Sequence, residues 1–281
     1  MMATTAKPMQ PAQKSINFLF LIVLVATLAG CHFSSINAEF RDGRAAAESR
    51  DYATAIKKFD RVIKREPDGE FGVESARLGA KIAHYEIKDY QKAIEFYSNL
   101  VNYSENPTER KDSQKKIAEI YFENLNNYKK AIEEFNKLLS LKTPQDEAID
   151  YKLKIAKANF YLNNFFQAES EVESALKLAD EKEARFELLL FLGSIYYNTK
   201  RINEAIKIYE DLILRFPERS KAENVQMNVI VCYEELELFD KAIENLKKLR
   251  ATFANPEFID LKVKRLEQRR ANLPGSRGLR K

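Results

Sequence analysis

Tyr90-Gln91-Lys92-Ala93-Ile94-Glu95-Phe96-Tyr97-Ser98-Asn99-Leu100-Val101 is the stretch on which the fold turns. From Ala93-Ile94 onward, apolar residues return at Tyr97 and at Leu100-Val101. That is the i, i+3/i+4, i+7 spacing of one apolar helix face. A small alanine near the start of the face lets a second helix approach closely. The phrase recurs as Tyr52-x-x-Ala55-Ile56, Tyr128-x-x-Ala131-Ile132, Phe165-x-x-Ala168-Glu169, Ile202-x-x-Ala205-Ile206 and Phe239-x-x-Ala242-Ile243. Its alanines are spaced 38, 38, 37, 37 and 37 residues apart. Self-similarity at a fixed period means that one structural unit is stacked several times.

Each copy extends alike in both directions. Four residues after the alanine stand Phe59, Tyr97, Phe135, Val172, Tyr209 and Leu246. Pro67, Pro107, Pro144, Pro217 and Pro256 follow five of the six copies and predict helix stops, because proline lacks the backbone donor and clashes with the preceding turn. A second apolar-periodic segment precedes each copy, as in Ala76-Leu78-Ile82-Tyr85 and Leu188-Leu189-Leu192-Ile195-Tyr196. Short polar links such as Lys88-Asp89 and Asn163-Asn164 separate the two. The repeat is therefore an antiparallel helix pair, and no stretch alternates with the period of a strand. Isolated helices below about 12–15 residues are marginal in water, so each pair must be held by its neighbours. The expected fold is all-α, an elongated stack with one continuous core.

The pattern resembles the tetratricopeptide repeat, whose unit of about 34 residues carries small, alanine, aromatic and proline positions in fixed register. Gly43, Ala156 and Gly193 stand twelve residues before the key alanine, where that family prefers a small residue, and Pro67 and Pro217 stand twelve after it. The second and third repeats need a one-residue shift to bring Ala80 and Ala118 to the small position, and the sixth has Ile230 there. The long period leaves HEAT-type repeats, roughly 40–47 residues, as the competing class. The resemblance implies a right-handed superhelical solenoid of six helix pairs over 38–256, with a capping helix over 257–272 and a disordered basic tail over 273–281. The phrases Arg65-Glu66-Pro67 and Arg215-Phe216-Pro217-x-x-Ser220 resemble the repeats of periplasmic lipoproteins of the BamD-like and CpoB/YbgF-like families.

The beginning of the chain reads as a separate element. Lys7 and Lys14 precede an apolar run from Ile16 to Thr27 that is too short to span a bilayer and ends Leu28-Ala29-Gly30-Cys31. This resembles the lipobox of bacterial lipoproteins. It implies a cleaved signal peptide over 1–30, a lipid on Cys31 and a tether over 31–37. His32 follows the cysteine in place of the aspartate that retains lipoproteins at the inner membrane of enteric bacteria, which implies the periplasmic face of the outer membrane. The whole chain carries +4, and residues 257–281 carry eight Lys/Arg against three Asp/Glu, so the repeats are close to neutral. Neither that balance nor a secreted location suits nucleic acid as a partner.

No catalytic constellation is legible. There are two histidines, no phosphate-binding glycine loop, no nucleophile elbow and no metal-ligand spacing, and Cys232 stands among apolar residues. Beyond the covalent lipid on Cys31, no cofactor is expected. In the tetratricopeptide family the first helices line a binding groove. Carried over by register, those positions are Arg44, then Arg77, Lys81 and His84, then Lys115 and Phe122, then Lys157 and Phe160, then Tyr197, then Asn228. They form a basic stripe with aromatics, suited to an extended peptide bearing carboxylates. The resemblance implies a non-catalytic, membrane-anchored scaffold that binds other envelope proteins, through an extended peptide or a membrane-complex subunit. Its machine would be outer-membrane protein assembly or, alternatively, peptidoglycan synthesis and division or a pilus or motility apparatus.

Overall fold

The computed structural model describes residues 35–273, all of them in helices or the turns between them. Cys31, the lipobox and residues 274–281 lie outside the described residues. The chain forms two compact lobes, one ending at Leu125 and the other beginning at Asn126.

The first lobe holds α1 (35–48), α2 (Tyr52–Arg65), α3 (Glu70–Lys81), α4 (Tyr90–Tyr103) and α5 (Pro107–Glu119). Successive helices pack on one another. Residues 35–37, expected in the tether, are helical, and Ile36 is 1% exposed. An apolar residue on the inner side of α1 gains more by packing than by trailing in water. The second lobe holds α6 (Tyr128–Leu139), α7 (Gln145–Tyr161), α8 (Phe165–Leu178), α9 (Lys182–Asn198), α10 (Ile202–Arg215), α11 (Pro217–Ala222), α12 (Val225–Glu235), α13 (Phe239–Leu249) and α14 (Pro256–Ala271). Asn224, at φ 54°, breaks the first helix of the sixth repeat into α11 and α12.

One turn geometry serves all six repeats. The residue five before each motif alanine has positive φ: Arg50, Lys88, Asn126, Asn163, Lys200 and Glu237. The next residue caps the second helix. Asp51, Asp89 and Asn127 accept from the backbone N–H of Thr54, Lys92 and Lys130 at 3.1, 3.0 and 3.3 Å, satisfying a donor the helix cannot. The prolines read as stops also act as starts. Pro107, Pro217 and Pro256 occupy the first turn of the next helix, where a missing N–H costs nothing, and Pro144 caps α7.

The one-residue shift of the second and third repeats has a backbone cause. Their first helices end in π-turns, Ile82–Glu86 and Ile120–Asn124. The N–H groups of Ile87 and Leu125 reach back five residues, to the carbonyls of Ile82 and Ile120 at 3.1 and 3.0 Å. In the 37-residue repeats the corresponding bonds span four: Leu162 to Ala158, Thr199 to Ile195 and Leu236 to Cys232. The extra residue is thus absorbed before the turn, and turn and second helix stay in register. A single π-turn inside an α-helix accommodates one extra residue.

Small residues sit where the helices of a pair cross. A Cβ on Gly43 would lie 2.8 Å from the Phe59 ring, and one on Gly79 2.8 Å from Phe96. In the second lobe, Phe186, Leu188, Leu192, Ile195, Tyr209, Leu212 and Cys232 belong to one buried apolar cluster. A separate cluster joins Ile230, Phe239, Ile243 and Leu246 to Ile259 and Leu266, so α14 covers α13. On α14 itself Leu266 is buried, while Phe258 and Leu261 are exposed.

Side chains also tie one repeat to the next at a recurring separation of 32 residues. Lys92 reaches Asp60 at 3.3 Å, and the Asn99 amide donates to the Pro67 carbonyl at 3.1 Å. Arg77 is bidentate to Glu109 at 2.6 and 2.9 Å. In the second lobe Arg201 donates to both oxygens of Glu169 at 2.8 and 2.9 Å, and Arg219 pairs with Glu187.

Candidate functional site

Two clefts open on the first lobe. The larger, of about 930 Å³, lies where α1, α3 and α5 come together with the links that precede α3 and α5. Phe40 and Arg44 line it from α1, and Glu70, Phe71, Val73, Glu74 and Arg77 from α3. The remaining wall is Asp68 from one link, Tyr103, Ser104, Glu105 and Asn106 from the end of α4 and the other link, and Glu109 from α5. The Phe40 and Phe71 rings lie 5.2 Å apart. A smaller neighbour of about 340 Å³ is lined by Arg77, Lys81, Tyr85, Tyr97, Asp112 and Lys116 among others.

Arg77 stands between the two clefts, and its charge is largely spent. Besides Glu109 it pairs with Glu74 on its own helix. The Ser104 hydroxyl donates to the same Glu109 carboxylate at 2.5 Å. Chiefly through the Arg77 hydrogen bond, the Glu109 pKa is held below its ordinary value, and that of Arg77 is raised in return. Arg77 is therefore tied into the fold. It joins the first helices of two successive repeats, so removing it strands a half-buried carboxylate.

The other stripe residues fare differently. Arg44 is exposed, 3.7 Å from Glu48, and shares the large cleft with Arg77. Lys81 is exposed on the small cleft. His84 sits in neither cleft. It is stacked on Tyr85 at 4.2 Å, edge-on to Tyr97, with Nδ1 3.4 Å from the Tyr97 hydroxyl. Burial, then the nearby Lys116 charge, lower its pKa. Lys115 is 3.9 Å from Glu119, and Phe122 is half-buried. In the second lobe Lys157 lies 6.0 Å over the Phe191 ring. Phe160 packs against Phe165 and Phe191 at the margin of the apolar cluster, as does Tyr197. Asn228 is half-buried. Phe160 and Tyr197 are therefore partly consumed by packing.

Reading first helices alone missed Asp68, Tyr103 and Glu105, which belong to the links and to the end of a second helix. The signal available was the acids that flank Pro67 and Pro107: Asp68, Glu70, Glu105 and Glu109. Among the described residues, no three or more His, Cys, Asp or Glu side chains are grouped so as to hold a metal ion, and no helix is long and apolar enough to cross a membrane. Cys232 is buried, and burial pushes its thiol up to about 11.

The comparisons agree with this geometry. Residues 40–107 match one sequence model of the tetratricopeptide repeat, and 116–144 and 186–219 match another. No curated protein matches the chain. Among solved structures, it is similar to the C-terminal part of a TPR repeat-containing protein from Cytophaga hutchinsonii (TM-score 0.56, 20% identity, 88% of this chain and 95% of that one). It is also similar to a chain of Naa15/Naa10 bound to HypK-THB (TM-score 0.57, 18% identity, 77% of this chain), of which it spans only 31%. A third is PilW, a type IV pilus biogenesis factor (TM-score 0.50, 15% identity, 81% and 98%). At these identities the likeness is one of fold. Residues 40–107, 116–144 and 186–219 are thus similar to tetratricopeptide repeats, and the described residues form an all-helical array of packed pairs.

Proposed function

We propose that the chain is a tetratricopeptide-repeat protein throughout, a non-catalytic scaffold that binds a segment of another protein. A lipid on Cys31 would hold it to the periplasmic face of the bacterial outer membrane. The observation that supports binding is the large cleft of the first lobe. Side chains from α1, α3 and α5 converge there, and the walls carry both rings and charges. Most ligand pockets fall between about 300 and 1,000 Å³, so the space suits several side chains of a peptide. Leu28-Ala29-Gly30-Cys31 after an apolar run supports the anchor. Two or three acyl chains would make attachment effectively permanent, where one gives only a K of about 10⁴ M⁻¹.

The machine served is proposed to be outer-membrane protein assembly, on the resemblance to BamD-like repeats. Fractionation of cells fed a radiolabelled fatty acid tests the anchor. The wild-type chain should carry label in the membrane fraction, and Cys31→Ser should lose both; an unlabelled wild-type chain sinks the lipoprotein reading. In-cell cross-linking then identifies the partner. An assembly-machine subunit is expected, whereas a cell-wall synthase or a pilus component replaces this assignment with the corresponding alternative.

A further inference from the structure

We infer that the large cleft of the first lobe takes an extended, cationic segment of a partner protein, with Lys or Arg side chains set against Asp68, Glu70 and Glu105 and over the Tyr103 ring. This rests on the scaffold reading and names the chemistry of its occupant. It also reverses the sign that the basic stripe suggested.

The charges on the cleft decide the sign. Its walls carry five carboxylates, Asp68, Glu70, Glu74, Glu105 and Glu109, against two guanidiniums, Arg44 and Arg77. Arg77 is held by Glu109 and Glu74 together. Arg44 has Glu48 at 3.7 Å, and the nearby Arg110 donates to the Ser104 carbonyl at 2.6 Å. Asp68, Glu70 and Glu105 are exposed and, among the described residues, have no ion-pair partner. An acidic peptide seeking Arg77 would have to displace two carboxylates already in place. A cationic one finds three uncompensated charges gathered in one cleft, where their fields add.

The walls fit the same occupant. Tyr103 is 42% exposed, and it lines the cleft together with the Phe40–Phe71 pair. A guanidinium or ammonium over a tyrosine face gains about 0.5–1 kcal/mol at an exposed site. The stems of Lys and Arg lie well on apolar surface while their heads reach carboxylates.

The test uses the full acylated chain in detergent and three labelled, unstructured twelve-residue peptides of equal apolar content, with charges of +3, 0 and −3. The +3 peptide should bind about tenfold tighter than the −3 peptide at low salt, with the preference shrinking as salt is raised. Asp68→Asn/Glu70→Gln/Glu105→Gln should erase the preference at unchanged melting temperature, and Arg44→Glu should enlarge it. Tighter binding of the −3 peptide, or full binding of the +3 peptide by the triple variant, overturns the inference. So does +3 binding that appears only when residues 274–281 are removed, since the chain's own basic end would then be the occupant. The scaffold reading fails separately, if the wild-type chain cross-links no partner in cells. A partner captured equally by the wild type and the triple variant sinks only the acidic-cleft assignment.

Discussion

The two lobes solve one repeat in different ways. Residues 35–125 contain the 38-residue period, absorb the extra residue in π-turns, cap their second helices with aspartate side chains and open a charged cleft. Residues 126–273 keep mainly the 37-residue period and bury a long apolar cluster running from Ala156 to Cys232, with a second between α13 and α14. Asn164, Arg201 and Leu238, the capping positions of α8, α10 and α13, make no side-chain cap bond. The invariant part is the turn and the second helix, and the first helix is where the repeat yields. A first helix free to change register and charge can carry binding, while a second helix fixed by its neighbours cannot.

Core truncation should separate the lobes most strongly. Phe186 is fully buried, with Phe216 edge-on and Arg219 over its face. Phe186→Ala should cost about 3–5 kcal/mol by denaturant titration. Hydrogen exchange should report lost protection in α9 and α10 and little change in α2, because arrays pass stability between neighbours. Uniform loss across both lobes would mean that they unfold as one body.

Deletions sharpen the π-turn account. Removing Glu86 from the second repeat should convert the Ile82–Ile87 bond to an ordinary helical one. Its expected cost is about 1 kcal/mol, mainly the hydrogen bond Tyr52 donates to Glu86 at 3.3 Å. Removing exposed Tyr161 from the fourth repeat, where no residue is spare, should cost more than about 3 kcal/mol. Equal costs would show that the extra residue is not absorbed at the π-turn.

The ties between repeats rank next. A double-mutant cycle on Arg77 and Glu109 should give a coupling of about 1 kcal/mol, at the upper end for an accessible pair because it is bidentate. A coupling near zero would return Arg77 to the pool of ligand-binding charges.

The smallest effect is confined to the first lobe and to acid. The His84 pKa is lowered from 6.5 by burial and by Lys116, with Glu119 and Glu123 opposing, so the folded state favours the neutral ring. Its contribution is complete above about pH 6.5 and declines as pH falls, because the unfolded chain takes the proton first. Glu109, lowered from 4.5, adds a loss only at stronger acid. Melting temperature followed from pH 7.5 to 5 should fall less in His84→Gln than in wild type; identical slopes would remove His84 as the cause.

Much of this was legible in the residues. Six alanines in register placed the second helices, and Lys88-Asp89 and Asn163-Asn164 marked the turns. The π-turns were not legible, because side-chain types do not encode which carbonyl an N–H selects; only the shifted Ala80 and Ala118 hinted at them. The ion pairs escaped because partners 32 residues apart meet only after the helices stack. On α14 the face that packs is Ile259-Val263-Leu266, at i, i+4, i+7, while Phe258 and Leu261 lie off it, so the identity of the buried face emerges only once α14 is docked on α13.

Site-specific photo-cross-linking tests the central claim, that the first-lobe cleft binds the partner. A benzoylphenylalanine at position 103, which lines the cleft, is compared with one at position 166, where the second lobe leaves a phenylalanine 78% exposed. The account predicts a specific adduct from position 103 in living cells, lost in Asp68→Asn/Glu70→Gln/Glu105→Gln, and none from position 166. An adduct from position 166 alone would contradict it.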